Sequence, residues 1–401
     1  VGVTYFFERF HKGFALNLSV YLTKLARLTC LTLLSWGSLS WAESPLSTFP
    51  LDINTEILLN LSVQELSQAV REVQATDDGF LKNIILNGDF YKTSKHFWLE
   101  RENYQNLVNF PQYLVLREIK ENFNNFEWRK KAVHLLLDAK TQFAEIPAGT
   151  FQMGSPESDS LRSDDELQHW VKISYPTSIQ RVEFTQLLLV LVTGKNNSKF
   201  QEEKYCPEDH LILKTEAGDV SLCPRNPAEK ISWNDIAEKD KSGQAKENTV
   251  IGILRDAFGI NTRLPTEAEW ERAARGFSEA YQSYSFGELA EDQTNLKAHA
   301  WYYRNSGNRT HRVAVKQPNS FGLFDIHGNV WEWVEDLYSD YSEAPHQNIP
   351  LVDPVSQAGS KRVFRGGGWN YYLKSSRSAS RGKVSAEARW TNVGFRLVRT
   401  P

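Results

Sequence analysis

Apolar positions recur at helical spacing through the first third of the chain. In "NLSVQELSQAVREV", Leu66, Ala69, Val70 and Val73 share one face, and Ser62 with Glu65 forms a capping box at its start. "FEWRKKAVHLLLDAK" repeats the pattern, with basic residues toward its end. Glycine is scarce there, so residues 43–140 read as a small helical region. From Phe143 the texture changes. "FAEIPAGTFQMGS" alternates apolar and small residues around turns, which predicts short strands. "EFTQLLLVLVTGK" is apolar throughout and predicts a buried helix ending at Gly194. "RLPTEAEWERAARG" predicts a helix begun by Pro265 and Thr266, with a Thr266–Glu269 capping box. Its inner face is Trp270, Ala273 and Ala274, and Gly276 stops it. Beyond it come long irregular stretches rich in Asn, Gly, Tyr and Trp, in which "KRVFRGGGW" and "NVGFRLVRT" read as paired strands. A domain with so little regular structure must order its loops by tryptophan packing, a disulfide or bound ions.

Near the N-terminus the apolar run Leu28–Ala42 follows Lys24 and Arg27 and ends in Ser40-Trp41-Ala42. The run is too short for a comfortable membrane span. Its basic start and small-residue end read as an export signal, so residues 1–42 are taken as a signal peptide with an upstream extension. The mature chain is then expected to be exported, to the periplasm, the cell surface or the medium, with no transmembrane span. Cys30 lies in the signal; Cys206 and Cys223 remain and are expected to form one disulfide. The 401 residues carry a net charge of -3, which gives no reason to expect a nucleic-acid partner.

"RVFRGGGWNYYLKSSRSASR" has the look of a site, yet it holds no cysteine, histidine or carboxylate. Its setting supplies a context. "IPAGTFQMGS", "SDDELQHWVKIS", "VEFTQ", "NPAEKISWNDI", "RLPTEAEWERAARG", "YSFG", "PNSFGLFDIHGNVWEWVEDLY", "RVFRGGGW" and "NVGFRLVRT" together resemble the formylglycine-generating enzyme (sulfatase-modifying factor) family, in the family's order. The resemblance covers residues 141–401. It implies an α+β, C-type-lectin-like fold, with two small twisted antiparallel sheets, two helices and long ordered loops, preceded here by the small helical region. It also implies oxidation of a substrate cysteine to formylglycine by two active-site cysteines that hold copper(I). In this chain those positions fall on Tyr371 and Ser376, neither of which can be a thiolate, so no copper is expected.

The family's calcium site maps onto the side chains of Asp325 and Glu332 and the carbonyls of Gly328 and Val330. Read without the family, the turn around Gly328 could wrap a hard cation, and the alternative is that the two carboxylates cap their own loop. A second family site maps onto Asn295, Leu296, Asn305 and Gly307, where Asn305 stands in place of an aspartate and weakens the set. The acidic run Ser163–Glu166 reads as a solvated turn.

The leading expectation is a binding module without the oxidase. Its surface would be Tyr371, Tyr372, Lys374, Arg377, Arg381, Arg389, Trp390 and Asn392, with an unidentified protein or small molecule as partner. Alternatives are an enzyme of another type, either hydroxyl-based or a non-heme iron enzyme drawing on His169, His210, His299, His311, His327 and His346. A third is an effector docking through "EILLNLSVQEL" and "HFWLER", which faintly resemble an F-box.

Overall fold

The computed structural model describes residues 101–400 except 216, 279–280, 290–292 and 342–348. The export signal, Cys30, the helix at Ser62, the F-box-like segments and His346 lie outside the described residues. A compact unit runs from Lys95 to Pro401. It opens with α1 (Arg101–Asn122) and α2 (Phe126–Leu136). Asn125 caps α2 by accepting from the Trp128 amide, and Trp128, Ala132, Val133 and Leu136 face inward. His134 Nε2 donates to the Phe258 carbonyl at 2.8 Å, and Arg399 donates to the Leu137 carbonyl at 3.0 Å. The helical stretch just before residue 141 therefore packs on the domain that follows it, rather than belonging wholly to a separate N-terminal region.

The domain is α+β. β1 (Phe143–Ile146), β4 (Thr177–Gln180), β13 (Val398–Arg399) and β7 (Thr262–Arg263) form one antiparallel sheet, in that order. A second sheet runs β11 (Arg381–Val384), β10 (Arg362–Arg365), β8 (Trp331–Leu337), β12 (Val393–Gly394). β2 (Gly149–Met153), β3 (His169–Ile173) and β9 (Leu351–Val352) make a third, and β5 (Leu211–Thr215) with β6 (Gly218–Leu222) a hairpin. Two of the pairings, β12 with β8 and β3 with β9, are parallel, so the sheets are not purely antiparallel.

The two long signals for helices after Phe143 hold. Helix α3 (Gln186–Thr193) is capped by Thr185 and stops at Gly194, whose φ of 72° is left-handed. Two short helices follow, α4 (Trp233–Ala237) and α5 (Val250–Asp256). Then comes α6 (Glu267–Arg275), which has the full Thr266–Glu269 capping box. Its inner face includes Trp270, Ala273 and Ala274, but Glu267, Glu269, Glu271 and Arg275 are buried as well. The charged face of α6 is therefore also core, which is possible only if those charges have partners.

One strand expectation needs correction. "KRVFRGGGW" and "NVGFRLVRT" do not pair with each other. β8 lies between β10 and β12, and the second segment splits into β12 and β13 in different sheets. Buried Arg396 sits between those two short strands and donates both to Glu332 of β8 and to the Gln180 carbonyl of β4. That bridging requires the chain to leave one sheet and enter the other.

Candidate functional site

The loop after β10 is held from both ends. Arg365, fully buried at the strand's end, donates to Glu267 at 2.8 Å, to Glu271 at 2.5 Å and to the Ser378 carbonyl at 2.7 Å. Gly366 and Gly367 then turn the chain at φ 100° and 78°. A Cβ on Gly367 would stand 2.8 Å from Ser376 Oγ and 2.9 Å from the Ser375 carbonyl, so the loop folds back onto its own glycines. A short 3-10 turn, Leu373–Ser376, completes the return.

Tyr371 is half-buried; its ring meets Trp331 edge-on at 5.4 Å and its carbonyl accepts from the Tyr303 amide at 2.9 Å. Ser376 is buried. His327 Nδ1 donates to its carbonyl at 2.8 Å, and its Oγ has no partner among the described residues. Around them lies an aromatic surface. Tyr372 is 58% exposed and packs against Tyr303, itself 47% exposed, at 4.7 Å. Trp390 is 40% exposed and joins Tyr371 through Phe364 and Trp331, ring to ring. Lys374 is exposed beside them, whereas Trp369 is half-buried, donating to the Thr391 carbonyl at 3.0 Å.

Of the three arginines expected on this surface, Arg377 and the side chain of Arg381 are buried instead, and Arg389 stays exposed. Arg377 is fully buried and donates to both Glu166 oxygens at 2.6 and 2.8 Å and to Asp159 at 3.2 Å. Arg381 holds Glu267 at 2.7 and 2.9 Å, with its guanidinium 3.8 Å from the Tyr341 ring. Arg389 is exposed but paired with Asp235 at 2.7 and 2.8 Å. Asn392 is buried and donates to Asn370 Oδ1 at 2.9 Å. The acidic run is likewise more than a solvated turn, because buried Glu166 is the counter-charge of Arg377. A guanidinium in low dielectric must find a carboxylate, and the sequence supplied one in each case.

The histidines do not converge on a metal. His169, His299, His311 and His327 each bond a backbone carbonyl, at 2.9, 2.8, 2.6 and 2.8 Å, and His210 bonds Ser221 Oγ at 2.9 Å. Among the described residues no three His, Cys, Asp or Glu side chains gather as a metal set. His327 also meets a hydroxyl, since Ser285 Oγ donates to its Nε2 at 2.8 Å. The Ser285 amide shares the same lone pair at 3.1 Å, and burial pushes the imidazole down to about 3. With its Nε2 lone pair shared between the Ser285 hydroxyl and amide, the imidazole fastens Ser285 to the loop.

The mapped calcium ligands lie in a cluster of buried charge that the sequence did not reveal. Glu332 takes both contacts of Arg396, at 2.6 and 2.7 Å, and the Trp270 indole at 2.7 Å. Asp325 Oδ2 accepts from the Ala314 amide at 2.8 Å, while its buried Oδ1 has no partner among the described residues. Glu183, fully buried, accepts from Val330 N and Asn329. Burial raises Asp325 to about 6 and Glu183 well above the carboxylate range. The orphan oxygen of Asp325 and the surplus of carboxylates over Arg396 fit a cation; the bidentate hold of Arg396 on Glu332 leaves that ligand only partly free. The second mapped set is occupied by turn contacts. Asn295 donates to the Glu288 carbonyl at 2.6 Å; Asn305 accepts from Tyr302 N and donates to the Ala300 carbonyl, both at 2.8 Å.

Cys206 and Cys223 are disulfide-bonded, closing the β5–β6 hairpin. No helix among the described residues is long and apolar enough to cross a membrane.

Comparison with known proteins places these features in context. A family profile described as "Sulfatase-modifying factor enzyme 1-like domain" matches residues 137–401. The chain is 32% identical over 192 residues to the formylglycine-generating enzyme of Streptomyces coelicolor, covering 44% of this chain and 54% of that protein. It therefore spans about half the length of that relative. It is 28% identical to the Mycobacterium tuberculosis formylglycine-generating enzyme, over 65% of this chain and 98% of that one. Among solved structures it is similar to Treponema denticola variable protein 1, with 26% identity, a TM-score of 0.49, and coverage of 65% of this chain and 95% of that one.

Proposed function

Because the chain belongs to the family of the sulfatase-modifying factor enzyme 1-like domain, we propose that it is a member that binds a partner through the loop after β10 and does not oxidise cysteine. One observation carries the reading. The positions expected to hold thiolates are Tyr371 and buried Ser376, and beside them stand the exposed rings of Tyr372 and Tyr303, in contact with each other, and of Trp390, linked to Tyr371 through buried Phe364 and Trp331. A phenol and a buried hydroxyl do not hold copper(I), which prefers soft sulfur. Tyrosine and tryptophan supply rigid contact area at low entropic cost. An exported location is part of the proposal, supported by the Cys206–Cys223 disulfide, since such bonds persist in oxidising compartments.

The test uses the partner recovered on the immobilised chain. Tyr372→Ala and Trp390→Ala should each weaken its binding by about 1–2 kcal/mol, with an unchanged melting temperature. Unchanged affinity in both variants would remove the aromatic surface from the proposal.

Structural calcium belongs to the same proposal. The cation would be held by Asp325 and Glu332 with the nearby Gly328 and Val330 carbonyls, and it would neutralise buried carboxylate charge. Extracellular calcium modules bind at roughly 0.1–1 mM, and saturation to about 100 times the dissociation constant adds about 2.7 kcal/mol. Calcium should therefore raise the melting temperature of the wild type and leave Asp325→Ala unmoved. Equal melting curves with calcium and with chelator in the wild type would leave Asp325 as a loop cap alone.

A further inference from the structure

Beside the disulfide lies a cleft of about 290 Å³ that the aromatic surface does not use. Its apolar walls include Tyr205, Val315 and the edge of Trp301, whose faces are covered by His311, stacked at 3.8 Å, and by the Lys316 ammonium at 3.7 Å. Burial pushes His311 down to about 4, so it adds no charge at neutral pH. The lining carboxylates are already matched: Asp209 takes Arg225 at 2.5 Å, and Glu208 takes Arg312. Arg309 is different. Its guanidinium reaches the Tyr205 carbonyl at 2.6 Å and has no carboxylate partner among the described residues. Among the residues that line it, the cleft thus carries one cation without a carboxylate partner, and Lys316 adds a further positive charge behind Trp301.

We propose that this cleft is a second binding site, for a small carboxylate whose anionic end rests on Arg309 and whose apolar body lies against Trp301, Tyr205 and Val315. A guanidinium pairs with a carboxylate through short, charge-assisted hydrogen bonds, and a mostly apolar cleft with a few placed polar groups suits a small ligand. The segment that forms one rim, Tyr205–Asp209, is fixed by the disulfide at Cys206.

The probes are benzoate and its neutral isostere benzamide, titrated into the full chain. The Trp301 indole N–H reports binding by NMR and is assigned with Trp301→Phe. Benzoate should shift it saturably, and benzamide should bind at least about tenfold more weakly. Arg309→Gln should weaken benzoate about tenfold, and Arg309→Lys should keep the preference for benzoate over benzamide. Should the Gln variant fail to fold, the Lys variant alone decides. Tyr372→Ala should leave benzoate binding intact, which separates this site from the loop surface. Equal binding of the two probes, no saturable benzoate shift, or loss of the shift in Tyr372→Ala would overturn the proposal.

Discussion

Arg377→Ala should destabilise the domain by about 3–5 kcal/mol, measured as a fall in the urea midpoint. The guanidinium is fully buried, and so, nearly, are the carboxylates it neutralises, Glu166 and Asp159. Truncation strands both. Glu166 would keep only Ser155 Oγ at 2.7 Å, and Asp159 its contacts with Tyr281, Ser283 and the Leu161 amide. None of these carries positive charge. Adding Glu166→Gln should restore part of the loss, because it removes one of the stranded charges. Tyr372→Ala, five positions earlier in the same loop, should change stability by less than about 0.5 kcal/mol. A wild-type midpoint for Arg377→Ala would show that the arginine is solvated after all.

Arg396→Leu should cost a similar amount, about 3–5 kcal/mol, and its cost should depend on pH. Arg396 is fully buried and also donates to the carbonyls of Gln180, Arg181 and Phe324, so it clamps the first sheet to β8. It is also a cation that lowers the pKa of both Glu183 and Asp325, which burial raises. A carboxylate whose folded pKa is raised holds its proton in the folded state after the unfolded chain has released it. Stability is therefore lost as pH rises from the unfolded value, about 4, through the folded one. In the wild type Asp325 places part of that loss between about pH 4 and its folded value of about 6. Without Arg396, Glu183 and Asp325 lose the cation that lowers them and rise further. The deficit of the variant, read from urea midpoints, should be smaller at pH 5 than at pH 8. The same deficit at both values would contradict the charge cluster.

The fold was legible where the information is local. The capping box at Thr266, the stop at Gly194 and the glycines after Arg365 all act within a few residues, and each stands where the pattern put it. The partners of buried charge are not local. Arg377 and Glu166 are 211 positions apart, Arg365 and Glu267 98, Arg396 and Glu332 64. Periodicity assigns a residue to a face but does not say which distant carboxylate meets it. That is why Arg377 and Arg381 read as surface anchors and are instead core. The same blindness hid the bend that splits "NVGFRLVRT" between two sheets, since it serves Arg396. Within the candidate site, Tyr372, Lys374 and Trp390 keep the exposure that a contact surface requires, and Tyr371 keeps part of it.

The loop is proposed to bind without oxidising. This is tested by incubating the purified chain with copper(I), oxygen, a thiol reductant as electron donor and a cysteine-containing peptide, and weighing the peptide by mass spectrometry. An unmodified cysteine is expected, because Tyr371 and Ser376 offer no thiolate to hold the metal. Formylglycine at that cysteine, formed at a rate above that of copper alone, would contradict it.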